Sequence, residues 1–195
     1  LKIGKKNLTN SSWDYNKKKK IKLIYVSPLF HYKNQTTVAK AFNRLKKKYT
    51  NLDIKFVGNY KHNLSLYNSI INDNLLVNEK NFTGEVSRKK VVNFLKSADI
   101  FIFASSSETF GISLVEAMAL GMPIVCSNKS SLPEILKDGG IYFNPKNDYE
   151  LSRQIEKFIK NKKLRENKSK KAFDLSFKYN WDVNVKKFKD IANNL

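Results

Sequence analysis

Cysteine is nearly absent: Cys126 stands alone, which excludes an internal disulfide framework and fits a reducing compartment. Histidine is almost as scarce. With only His31 and His62, and no Cys, His and Asp group at ligand spacing, no metal centre is expected. No apolar run approaches the roughly 20 residues that a bilayer-spanning helix needs. Acidic residues are also few, 17 Asp and Glu against 37 Lys and Arg, which leaves a formal charge of +20. That excess invites a nucleic-acid reading, yet arginine, the side chain best shaped to fork onto bases and phosphates, occurs only as Arg44, Arg88, Arg153 and Arg165. The lysines are spread along the chain among abundant Asn, Ile and Phe, a composition that reflects A/T-rich codons as much as phosphate binding. Nucleic acid is therefore not the expected partner, whereas docking against an anionic membrane or polysaccharide surface suits the charge.

What is present is enough for one buried core. At 195 residues and 41% hydrophobic content the chain suits a single domain and is too short for two large ones. It begins at Leu1 without a signal-peptide pattern, so it is expected to be an excised piece of a longer protein. The cysteine usage suits a location that is cytoplasmic, or peripheral at the inner membrane face.

Residues 1–20 are polar, unperiodic and end in four lysines, the pattern of a linker or poorly ordered lead-in. From residue 21 strands and helices alternate. "IKLIYVS" (21–27) reads as a strand, and "TTVAKAFNRLKKKY" (36–49) places apolar residues at 38, 41, 42, 45 and 49, which is helical spacing. Strands follow at 52–58, 78–84, 99–105, 122–127 and 141–145. Helices are expected at 64–74, 87–98 (capped by Ser87), 112–121 and 131–140, the last with a capping-box start. The segments 148–161, 163–178 and 182–193 then read as helices. Six strands joined by helical crossovers predict an α/β fold, a Rossmann-like doubly wound parallel sheet with helices on both faces. In such sheets ligands sit beyond the carboxyl ends of the strands, which gathers "SPLFHYKN", "GNYKH", "TGEVS" and "SSSETFGI" around one rim.

Within that rim "ETFGISLVE" (108–116) holds two glutamates at the start of a helix. One reading is local: Ser113 to Glu116 fits the S-x-x-E capping box, and Glu108 favours the positive end of the helix dipole. The other reading is a binding site. Gly111 lets backbone approach a ligand closely, and free N–H groups around Gly111, Ile112 and Ser113 form an anion site suited to phosphate. Ionised carboxylates on either side are strong acceptors for hydroxyls. A nucleotide sugar carries both kinds of group. Lys33 would stand across the rim as a point charge against the diphosphate, and Gly84 opens a helix where a base can rest.

The stretch "ETFGISLVEAMALGMPIV" resembles the E-x7-E region of the retaining GT-B glycosyltransferases of family GT4, the glycosyl transferases group 1. The resemblance runs from "IYVSPLFHYKNQTTVAKAFNRL" through "NFTGEVS", "ADIFIFASSSETFG" and "SLPEILKDGGIYFNPKND" to "YNWDVNVKKF", roughly residues 21–190. It implies the C-terminal, donor-binding half of a two-domain enzyme, with residues 21–180 as the nucleotide-sugar-binding domain and 181–195 as a helix crossing to a missing acceptor-binding N-terminal domain. By matching position, Glu108 and Lys33 would be catalytic, with Glu108 on the donor sugar and Glu116 on the ribose hydroxyls. The backbone at Gly111, Ile112 and Ser113, with Lys33, would hold the diphosphate, and Gly84 and Val86 would line the base pocket. The resemblance implies a metal-independent transfer with retention from a UDP or GDP sugar to a polysaccharide or lipid-linked acceptor, with no cofactor. One position departs. Many members carry an arginine five residues before the lysine, where this chain has Pro28, so Ser27 or another lysine is expected to compensate. A non-catalytic nucleotide-sugar-binding module is the alternative. A glycosidase using the glutamates as acid and base is less suited, because a helix N-terminus beside a basic rim favours ionised carboxylates.

Overall fold

The computed structural model describes residues 20–179. The expected lead-in and the 182–193 helix therefore lie almost wholly outside the described residues. Five parallel strands, β1 (Ile21–Val26), β2 (Leu52–Val57), β3 (Ile100–Phe103), β4 (Ile124–Ser127) and β5 (Ile141–Phe143), form one sheet in the order β2-β1-β3-β4-β5. Seven α-helices connect and flank them: α1 (Gln35–Lys46), α2 (Leu64–Asp73), α3 (Arg88–Ser97), α4 (Ile112–Ala119), α5 (Leu132–Leu136), α6 (Asp148–Lys160) and α7 (Lys162–Ser176). The chain leaves β1 toward one sheet edge and β3 toward the other. Right-handed crossovers then put α1 and α4 on opposite faces, with α6 packed on α1 and α7 on α4.

The central strands show why the sheet is parallel and covered. Every residue of β3 and of β4 is buried, as unbroken apolar runs require when helices lie on both faces. On α1 the apolar positions Val38, Ala41, Phe42 and Leu45, followed by Tyr49, are all buried. The helical face is the one the spacing predicts. Edge strand β2 instead half-exposes Asp53 and Lys55. Beyond it, the segment expected as a sixth strand at 78–84 forms a 3-10 turn over Glu79–Asn81 and only two isolated bridges, Phe56 to Phe82 and Gly58 to Gly84. Asn81 takes the place of a ladder residue by donating its side-chain amide to the Ile54 carbonyl at 2.9 Å. The sheet thus has five strands.

Two expected caps are not made. Ser87 holds the extended backbone of an N-cap, but its hydroxyl makes no cap hydrogen bond, and Ser131 donates to the Glu108 carbonyl at 3.0 Å rather than closing a capping box on α5. Long-range acceptors win where they are presented. Arg165, only 1% exposed, shows the same preference by donating to the carbonyls of Phe158 and Ile159 in the last turn of α6.

α1 is held to α6 through Glu156, which accepts from Lys48 and from the Tyr49 hydroxyl at 2.7 Å each and pairs with Lys160 at 3.0 Å. Hydrogen bonds from Lys48 and Tyr49 lower the Glu156 carboxyl from 4.5 to about 2. A lowered folded-state value contributes stability above the unfolded value and loses it as pH falls toward the folded one. Denaturant midpoints should therefore drop between about pH 4.5 and 2 by more in the wild type than in Glu156→Gln. At Gly58, with φ +145°, an added β-carbon would lie 2.3 Å from the Ser27 carbonyl oxygen. Gly58→Ala should destabilise by at least about 1–3 kcal/mol in the same titrations, because the obstacle is backbone.

Candidate functional site

β1 and β3 are neighbours whose following connections turn to opposite faces, and the cleft between their carboxyl ends is the switch point of the sheet. A cavity of about 610 Å3 opens there. Its wall brings together Ser27, Lys33, Val86, Glu108, Gly111, Ile112, Ser113 and Glu116 from the residues singled out in the sequence. Gly84 is not in the wall. It pairs with Gly58 at φ +69°, and Glu85 and Val86 form that side instead.

The loop after β1 is set by Asn34, a buried non-glycine residue with φ +54° that precedes α1. Asparagine tolerates this left-handed conformation better than most residues. Its amide nitrogen lies 2.9 Å from the Ala104 carbonyl, 3.0 Å from that of Tyr32 and 2.7 Å from the Ser106 hydroxyl. The Ser106 N–H returns a bond to the Tyr32 carbonyl at 2.7 Å. These contacts stitch the β1 loop to the β3 loop. From below, the buried Tyr25 hydroxyl donates to the Lys33 carbonyl at 2.6 Å, and burial together with nearby Glu108 pushes that phenol well above its usual range. Lys33 is thereby aimed across the cleft, where its ammonium pairs with Glu108 and lies 5.1 Å from the Tyr32 ring centre. Both side chains are nearly buried, at 11% and 13% exposure.

Glu108 is held from the other side by two serines that sequence reasoning did not place in the site, Ser131 reading there only as a helix cap. Ser130 accepts from its N–H at 3.0 Å and, like Ser131, donates to its carbonyl. Gly111, at φ +74° and ψ +63°, then turns the chain into α4. None of the described residues accepts a hydrogen bond from the N–H groups of Gly111, Ile112 or Ser113. Ser113 is not an N-cap. It occupies the second position of α4 and donates to the Val26 carbonyl at 3.3 Å, so the Ser113–Glu116 capping box does not form.

Glu116 points inward from α4 with its side chain 4% exposed, and the guanidinium of Arg88 reaches over the cavity to pair with it. Arg88 was not singled out from the sequence. The signal was present, since a rare arginine at the first position of a helix opposes the dipole there and calls for an anion nearby. At the position of the expected arginine, Pro28 lines the cavity with no charge to offer, and the Ser27 hydroxyl donates to the Pro28 carbonyl at 2.9 Å. Among the described residues no group of three or more His, Cys, Asp and Glu is placed to hold a metal ion, and no helix is long and apolar enough to cross a membrane. Cys126 lies buried in β4, where burial pushes its thiol up and makes it inert.

Asn34→Ala removes the amide that joins the two loops and should cost about 1–3 kcal/mol of stability, measured by urea unfolding. Asn34→Gly keeps the backbone conformation without the amide and should lose a similar amount. Recovery of wild-type stability in the glycine variant would show that conformation, not hydrogen bonding, holds the loop.

Comparison with known proteins gives the site its family. The profile described as glycosyl transferases group 1 matches residues 9–174. An uncharacterized glycosyltransferase of Methanocaldococcus jannaschii is 32% identical over 182 residues, 91% of this chain and 46% of the relative. O-antigen chain mannosyltransferase B of Escherichia coli is 29% identical over 101 residues, 52% of this chain and 26% of the relative. The chain thus spans less than half the length of either curated relative. Among solved structures, HepE of Anabaena in complex with UDP and glucose superimposes with a TM-score of 0.79 at 19% identity, over 91% of this chain and 49% of that one. The C-terminal domain of the group 1 protein LpcC from Francisella tularensis superimposes at 0.74 and 20% identity, over 91% of this chain and 95% of that one. The fold is that of the C-terminal half of a GT-B protein, and the chain belongs to the glycosyl transferases group 1 family.

Proposed function

We propose that this chain is the donor-binding half of a retaining glycosyltransferase, and that its cavity takes a UDP or GDP sugar. The observation that carries the reading is the run of unpartnered N–H groups at Gly111, Ile112 and Ser113, set between Glu108 and Glu116 at the switch point. Helix N–H groups at a dipole's positive end suit the diphosphate, and buried carboxylates suit hydroxyls. The likeness to HepE, solved with UDP-glucose, supports a nucleotide-sugar ligand.

On this reading Glu116 accepts from the ribose, Glu108 accepts from the donor sugar, and Val86 lines the side toward the base. Lys33 serves the leaving diphosphate. As the glycosidic bond breaks, negative charge grows on the diphosphate, where Lys33 and the α4 N-terminus are already aimed and need little reorganisation. Charge compensation then comes from the protein, which makes the transfer metal-independent and without cofactor. Retention follows if the acceptor attacks the face that the diphosphate leaves, with the diphosphate taking the acceptor proton. The acceptor is a polysaccharide or lipid-linked glycan. A second half supplies its binding surface, and the basic surface of this half lies against the anionic inner face of a membrane. Alone, the chain binds donor and turns it over poorly, since the acceptor is not positioned.

Titration calorimetry with UDP, GDP and ADP tests this reading. One nucleotide should bind selectively, and Glu116→Ala should weaken it by about tenfold or more, the scale of charge-assisted hydrogen bonds to hydroxyls. A variant that loses stability but keeps its affinity would reduce Glu116 to a structural residue.

A further inference from the structure

The charge balance of the cavity wall is wrong for a diphosphate. Its wall carries three carboxylates, Glu85, Glu108 and Glu116, against two cations, Lys33 and Arg88. Both cations are already engaged, Lys33 with Glu108 and Arg88 with Glu116. A ligand bearing two or more negative charges must therefore gain a cation from one of these pairs.

The pairs are not equivalent. Lys33 is 11% exposed and sits beside the Tyr32 and Phe103 rings, with its backbone pinned by Tyr25. Arg88 has a side chain 60% exposed, opposite a Glu116 side chain that is 4% exposed. No hydrogen bond from the described residues reaches Glu116 Oε1, and the cation paired with it is the guanidinium of Arg88. A buried carboxylate cannot be left bare without a large penalty, and hydroxyl donors are a chemically sound replacement. The exposed guanidinium can leave without losing burial. Once released inside the same cavity, it faces the diphosphate, for which its planar fork is well shaped.

We propose that Arg88 is an ion-pair latch. It covers Glu116, gives way to the ribose hydroxyls when a nucleotide enters, and transfers its charge to the diphosphate. This rests on the nucleotide-sugar reading of the site. The latch makes Arg88 a specificity-determining residue: a nucleoside replaces the guanidinium on Glu116 with its hydroxyls but leaves the displaced charge unpaired, while a nucleoside diphosphate also re-engages it. It also supplies, from the start of α3, the charge that Pro28 does not provide beside β1.

The test compares uridine with UDP, guanosine with GDP and adenosine with ADP by calorimetry on the 195-residue chain and on Arg88→Ala, Arg88→Lys and Lys89→Ala. Thermal melts confirm that each variant is folded. For the pair that binds, Arg88→Ala should bind the nucleoside more tightly and the diphosphate more weakly, so that the preference for diphosphate falls at least about tenfold, the scale of one charge-assisted hydrogen bond. Arg88→Lys, which keeps the charge without the fork, should fall between. Lys89→Ala, one residue along the same exposed helix start, should leave the preference unchanged, which separates the latch from general surface charge. An unchanged preference in Arg88→Ala, or an equal weakening of nucleoside and diphosphate, would overturn the latch while leaving the nucleotide site intact. Failure of the wild type to bind any of the six would overturn the nucleotide reading and the latch with it.

Discussion

The left-handed turn at Asn34 is the constraint from which the site's geometry follows. A single side-chain amide reaches the Ala104 carbonyl and the Ser106 hydroxyl, so the loops after β1 and β3 cannot move apart without leaving buried polar groups unpaired. Lys33 precedes that residue and Glu108 follows the stitched segment. Their contact, across 75 residues of sequence, is a consequence of the stitch and of Tyr25 beneath it. Gly111 then redirects the chain so that α4 begins at the rim with its N–H groups free.

Around this frame the site is an arrangement of anions under restraint. Two glutamates, one buried and one nearly so, each carry a cation, and the donor groups that would satisfy a phosphate lie between them. An isolated buried carboxylate is unfavourable, and each of these two is paired with a cationic side chain of the protein itself. Such pairs need not add much stability, because desolvation offsets their attraction. They hold the acceptors in place beside those N–H groups. The serines behind Glu108 hold its backbone, while Lys33 pairs with its carboxylate.

The family relationship and the geometry bear on different questions. Membership in glycosyl transferases group 1 places the chain in a family, and the likeness to solved structures places it in a fold. The wall residues present the chemistry that a ligand meets, and Pro28 and Arg88 line one cavity: Pro28 brings no charge beside β1, while Arg88 brings one from the start of α3.

Much of this was legible in the sequence because its causes are local. The alternation of apolar strands with amphipathic helices, the buried face of α1 and the double coverage of β3 follow from periodicity, which any neighbouring layer can satisfy. The glutamates eight apart, the glycine between them and Lys33 were all visible as residue types. Tertiary structure decided the partners. Ser113 and Ser131 sit in motifs that read as caps, yet their hydroxyls donate to the Val26 and Glu108 carbonyls and accept no cap hydrogen bond. The segment at 78–84 has strand composition, but Asn81 bonds the edge with its side chain and stops the ladder at isolated bridges. Arg88 was one lysine-like charge among many in a chain of +20 until folding set it over Glu116. A sequence states which charges exist; only the packing of β1, β3, α3 and α4 determines which of them share a cavity and must therefore neutralise one another.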